Sequence, residues 1–102
     1  MEILTRMEEI LLLAVHQLGA DAYGVTIKSQ VEELLDKTIS VGAVYVPLDR
    51  LTKRGYLKTW QGDPSPERGG RSKKYYKLTQ AGMDILKETK KLNDLLWANV
   101  SV

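Results

Sequence analysis

Residues 40–57 read SVGAVYVPLDRLTKRGYL and residues 73–82 read KKYYKLTQAG. Ser40 has the side chain of a helix N-cap. After it, Val41, Val44, Leu48 and Leu51 recur three or four residues apart, the spacing of one helix face. Gly55 stands where a helix closes. The spacing therefore predicts a helix over about 40–54. Pro47 falls inside it, at a cost of about 3 kcal/mol in a helix interior and less within the first turns. Tyr56 to Gln61 is expected to be a short strand. Gly62 to Ser72 is rich in Gly, Pro, Ser and charge and reads as a loop. Lys73 to Leu78 is expected to return as a second strand, with Tyr76 and Leu78 on one face and Tyr75 and Lys77 on the other. Thr79 then caps a last helix, about Gln80 to Ala98.

Working outward from this segment, Thr5 and Glu8 have capping-box spacing and open a first helix that ends at Gly19. Its run Ile10 to Val15 is apolar on every side, which predicts burial on more than one side, with a partner subunit as the simplest cover. A second helix is expected over about Val25 to Asp36, with Ile27, Val31, Leu34 and Leu35 turned inward. The order helix, helix, helix, strand, strand, helix is mainly α with one small β-hairpin. It is the order of a winged helix-turn-helix. The expected division is 1–79 as a winged-helix DNA-binding domain and 80–102 as a C-terminal dimerisation helix packed on the same unit.

A chain of 102 residues suits one such domain. It has no Cys, which excludes disulfides and thiolate zinc sites. The N-terminus has no signal-peptide pattern, and the longest apolar run is too short to span a bilayer. A cytoplasmic protein with no membrane partner is expected. His16 is the single histidine. No His-based catalytic set can be built from it, and no metal site or cofactor is expected. The adjacent pairs Glu8-Glu9 and Glu32-Glu33 splay around their helices.

The net charge of +2 hides a split. From Met1 to Asp49 three basic residues (Arg6, Lys28, Lys37) face eight acidic ones. From Arg50 to Lys77 nine basic residues face only Asp63 and Glu67. Phosphate contacts need such a local basic surface, not a basic chain. At 100° per residue, the face of the third helix opposite its apolar stripe carries Gly42, Val46, Asp49, Arg50 and Lys53, with Ala43 and Tyr45 on the flanks. Gly42, Ala43, Tyr45 and Val46 are the candidate base readers. Arg50, Lys53, Arg68, Arg71, Lys73 and Lys74 are the candidate phosphate contacts. Packing of Val46 on another part of the protein, and a merely solvated loop tip, are the alternatives for these positions.

These residues carry a resemblance. Tyr23-Gly24, the run Val41 to Leu57 with its Tyr-x-Pro-Leu core, and Gly70-Arg71-Ser72-Lys73-Lys74-Tyr75-Tyr76-Lys77-Leu78-Thr79-Gln80-Ala81-Gly82 together resemble the PadR family of bacterial transcriptional regulators. The resemblance covers about Leu11 to Leu86, and is to the short form with a single C-terminal helix. It departs at Ala43 and Val46, where the family often has a hydroxyl and a small residue. It implies a dimeric winged-helix repressor acting on double-stranded DNA. The last helix fits: Ala81, Ile85, Thr89, Leu92 and Leu96, widened by Leu86 and Leu95, can pack on a second copy in a homodimer. The resemblance further implies a planar aromatic small-molecule effector held near Trp97, on the side of Leu86 and Lys90; interface packing is the alternative there. The function expected is a sequence-specific transcriptional regulator, a dimeric repressor released by its effector. The competing reading is a winged-helix module that binds protein or ligand and no DNA, and the charge split discriminates against it.

Overall fold

The computed structural model describes residues 2–62 and 73–101. Along them the chain runs α1 (Arg6–Leu18), a 3-10 turn (Gly19–Asp21), α2 (Gly24–Leu35), α3 (Val41–Lys53), β1 (Leu57–Gln61), β2 (Lys74–Leu78) and α4 (Gln80–Trp97). The two strands form one antiparallel hairpin in which Leu57 faces Leu78 and Trp60 faces Tyr75. This is the winged helix-turn-helix arrangement expected from the element order. Among the described residues no helix is long and apolar enough to cross a membrane.

The caps work as their residue types require. The Thr5 hydroxyl accepts from the Glu8 N–H at 3.1 Å, and the Glu8 carboxylate accepts from the Thr5 N–H at 2.7 Å. Ser40 and Thr79 accept from the N–H groups of Ala43 and Gly82. Each satisfies a donor that the helix itself leaves unpaired. Gly55, at φ 82°, turns the chain out of α3 in a conformation that costs a residue with a Cβ.

α1 is the centre of the molecule. Leu11, Leu12, Ala14 and Val15 are buried against Ile27 and Val31 of α2, Val44, Leu48 and Leu51 of α3, Leu57 and Tyr76 of the hairpin, and Ile85 and Leu86 of α4. Each of the larger side chains contributes roughly 1.5–3 kcal/mol through burial. The apolar girdle of α1 is thus covered almost wholly within the chain, and only Leu13 stands out, at 39% exposure. The expectation that a partner must cover α1 is corrected on this point.

Two further positions differ from the sequence reading. Leu34 is 52% exposed and Val41 59% exposed. Leu34 and Val41 flank the α2–α3 turn, near the end of one stripe and at the start of the other, where no element among the described residues lies over them. Pro47 is buried instead, so the inward stripe of α3 is Val44, Pro47, Leu48 and Leu51. A proline withdraws the hydrogen bond to the carbonyl four residues back. Here that carbonyl belongs to Ala43, which is exposed to water.

One tie joins the two ends of the first three helices. Glu8, 3% exposed, receives Arg54 Nη1 at 2.6 Å from the end of α3. Arg54 also pairs with Glu2. Burial alone would raise the Glu8 carboxyl, but the Thr5 N–H and the Arg54 guanidinium outweigh it and hold the group below its ordinary value. One cation of the basic segment is therefore spent inside the fold.

Candidate nucleic-acid interface

The core sets the rotation of α3. With Val44, Leu48 and Leu51 fully buried, Gly42, Ala43, Tyr45, Val46, Asp49, Arg50 and Lys53 are all left exposed, Val46 by 55% and Tyr45 by 39%. The α2–α3 turn is pinned by Glu32, which accepts from Lys28 Nζ at 2.9 Å and from the Ile39 N–H at 3.0 Å. The Lys28 bond, then the Ile39 N–H, hold the Glu32 carboxyl below its ordinary value.

Tyr45 leans across the start of α2. A Cβ added to Gly24 would lie 1.7 Å from the Tyr45 hydroxyl oxygen and 2.4 Å from its ring. Only a glycine at position 24 lets the ring lie there. At the other end of the face the Arg50 side chain has no partner among the described residues. Lys53 pairs with Asp49 at 3.1 Å, both of them exposed.

The hairpin stands beside this face. Tyr76, 3% exposed, has its phenol pushed up by burial first and then by Tyr45 and Asp49 of α3. Lys74 Nζ sits 5.5 Å from the Tyr76 ring centre, so that cation lies next to α3. Lys73 Nζ sits 4.0 Å above the Tyr23 ring. Arg68 and Arg71 lie outside the described residues.

A chain of rings braces the hairpin from its other face. Trp60 stacks on Tyr75 with centroids 5.6 Å apart, and Tyr75 meets Tyr23 edge-on at 5.4 Å. The Tyr76 N–H also donates to the Ala22 carbonyl at 2.8 Å, and Tyr23 bridges Tyr75. Sequence reasoning missed this brace and the role of Gly24. The signal available for both was the Tyr23-Gly24 pair, which carries a partner on each residue.

The three residues considered for an effector are not assembled in one chain. Leu86 is buried in the core, Lys90 pairs with Asp94 at 3.0 Å, and Trp97 is 62% exposed. Leu86 and Trp97 lie on one side of α4 but about 16 Å apart along its axis, at 1.5 Å per residue.

Known proteins place this geometry. The transcriptional regulator PadR-like family model matches residues 10–88. No curated protein matches the chain. Among solved structures, a PadR family transcription regulator from Clostridium difficile R20291 is 24% identical, with TM-score 0.73 over 90% of this chain and 91% of its own. A PadR-like transcriptional regulator from Bacillus cereus ATCC 14579 is 23% identical, with TM-score 0.74 over 92% of this chain and 86% of its own. RosR of H. salinarum is 23% identical, with TM-score 0.74 over 96% of this chain and 81% of its own. These likenesses carry the fold, and the family model carries the membership. By that match over most of its length, the chain belongs to the PadR-like family of transcriptional regulators.

Proposed function

We propose that the protein is a sequence-specific regulator that lays α3 in the major groove of double-stranded DNA and rests the hairpin on the adjoining backbone. The observation that carries this reading is the composition of one face: small and apolar readers (Gly42, Ala43, Val46) with Tyr45 at one end of α3, cations at the other, and Lys74 beside them on the hairpin. Close approach of backbone, contact with a thymine methyl and a positioned hydroxyl suit base edges, and cations suit phosphates. Arg68 and Arg71 join the phosphate set on the strength of the sequence. In this reading residues 1–79 hold DNA and residues 80–102 dimerise.

The reading extends to a homodimeric repressor released by a planar aromatic effector. Its support is the family resemblance together with the open apolar end of α4, where Leu95, Leu96 and Trp97 are 75%, 66% and 62% exposed. Of the effector candidates Leu86, Lys90 and Trp97, the Trp97 ring is the one left free to receive a flat molecule, and a second copy would supply the rest of such a site.

Fluorescence polarisation on a labelled random duplex tests the DNA reading. Arg50, Lys53, Arg68, Arg71, Lys73 and Lys74 give twelve phosphate contacts per dimer, so log affinity is expected to fall with log salt at a slope of about −11. Lys73→Ala with Lys74→Ala should weaken binding to every sequence alike and bring the slope to about −7. Salt-independent binding, or none at low salt, would instead favour a module that binds protein or ligand.

A further inference from the structure

Asp49 is the residue on the outer face of α3 that the proposed function leaves unused. Among the described residues of α3 and the hairpin, 41–61 and 73–78, it is also the only carboxylate. We infer that Asp49 is a specificity-determining residue. It accepts from the exocyclic amino group of a cytosine when α3 is seated in the major groove, and it penalises complexes that lack that group. The role rests on α3 being the DNA-reading helix and goes beyond it by naming a base.

The fold gives weak reasons for an acid at this position. The Asp49 side chain is 56% exposed, and it pairs at 3.1 Å with Lys53 Nζ, one turn on and 76% exposed. An exposed pair of this kind adds little to stability. The C-terminal end of a helix favours cations over acids. Tyr45, Asp49 and Lys53 are spaced four apart and share one side of α3. That side looks toward the hairpin. The Tyr76 phenol is pushed up by burial first, then by Tyr45 and by Asp49. Lys74 Nζ lies 5.5 Å from the centre of the same ring. Asp49 thus stands between a candidate base reader and the candidate phosphate contacts.

The chemistry of the DNA surface decides what such a group can meet. A carboxylate only accepts hydrogen bonds. Phosphates are anionic, and guanine O6 and N7 and thymine O4 are acceptors, so each of these opposes it. The donors of the major groove are the amino groups of cytosine and adenine, and adenine sets its N7 acceptor beside its amino group. Cytosine is therefore the base that suits Asp49. A chain resting on phosphates alone leaves the carboxylate uncompensated, whereas a chain seated over cytosine does not. Repulsion of wrong partners is one way in which an interfacial charge gives selectivity.

The test compares the full chain with Asp49→Asn, which keeps the shape of the side chain and removes its charge. On random duplex at low salt the variant should bind about fivefold more tightly. Its salt slope should steepen by up to about two for a dimer. From a randomised pool the parent should enrich cytosine at one fixed position of each half-site. Asp49→Asn should lose that preference, with adenine gaining, because an Asn side chain suits adenine. Lys53→Gln breaks the same ion pair and keeps the carboxylate. It should weaken binding to every duplex and leave the cytosine preference in place. A parent that binds no random duplex at low salt sinks the DNA reading and this assignment with it. Where the parent binds, the assignment alone is overturned by Asp49→Asn enriching the same sequences, by its random-duplex affinity being unchanged or lower, or by Lys53→Gln losing the cytosine preference.

Discussion

Tyr45 gains its position from a residue twenty-one places earlier in the chain. Its ring lies across Gly24, so the start of α2 fixes the direction in which the hydroxyl points. A methyl group at position 24 collides with the far end of this side chain and not with backbone. The ring is partly exposed and can swing away. Gly24→Ala is therefore expected to lower stability by only about 1 kcal/mol, at the low end of overpacking effects. Its larger effect should fall on recognition. The duplexes enriched from a randomised pool should change for Gly24→Ala much as they change for Tyr45→Ala. The double variant should do no more than either single one, because both remove the same positioned ring. Additive changes in selectivity would mean that the two residues act separately. Tyr45 was legible as a reader from its place on the outer face of α3. The reason for Gly24 was not, because it lies in a contact between helices and leaves no period in the sequence.

Helices α1 and α3 meet end to end at Glu8 and Arg54. Glu8 closes the capping box of its own helix and, 4% exposed at its side chain, also receives the Arg54 guanidinium. Its carboxyl is held below the ordinary value in the folded state. A carboxylate of this kind stabilises the fold above its unfolded pKa, about 4.3, and the contribution is lost as pH falls through the depressed folded value. Glu8→Gln keeps the capping acceptor and removes the charge. Urea unfolding at pH 7 should show a loss of about 1–2 kcal/mol. At a pH below about 4 the gap between variant and parent should narrow. A gap unchanged across that range would mean that packing, and not the ion pair, is at stake. The capping box, the Ser40 and Thr79 caps, Gly55 and the alternating faces of β2 were all readable from local spacing. What spacing misjudged is instructive in the same elements. Val41 and Leu34 fit an apolar period, but no element among the described residues covers them. Pro47 was weighed as a helix breaker, and its ring proved to be a packing surface. The all-round apolarity of α1 did mark burial on several sides, and α2, α3, the hairpin and α4 supply all but one of them.

At the scale of the molecule, the shape is long for the number of residues. The extents are 55 × 29 × 21 Å and the radius of gyration is 15.1 Å, against about 13 Å for a compact domain of this length. The exposed end of α4 contributes to this length. Its first half is anchored by Ile85, Leu86 and Thr89 in the core, and Asn93 donates to Glu9 at 3.1 Å. From Asp94 onward every described residue is exposed, including Leu95, Leu96 and Trp97. Leu96 and Leu92 also line a groove of about 230 Å³ with Ile3, itself 72% exposed. An apolar end that its own chain leaves open is what a two-fold interface would bury, since the same patch recurs on the second copy. Leu96→Asp places a charge in that patch and touches none of the fully buried core. Sedimentation at micromolar concentration should give a dimer for the parent and a monomer for Leu96→Asp, with unchanged helical circular dichroism. A monomer engages one half-site at a time. Its affinity for a duplex carrying two half-sites one turn apart should therefore fall by about a hundredfold or more, while its affinity for a single half-site should hardly change. A parent chain that sediments as a monomer would overturn the dimer, and a Leu96→Asp variant that stays dimeric would place the partner surface elsewhere than on α4.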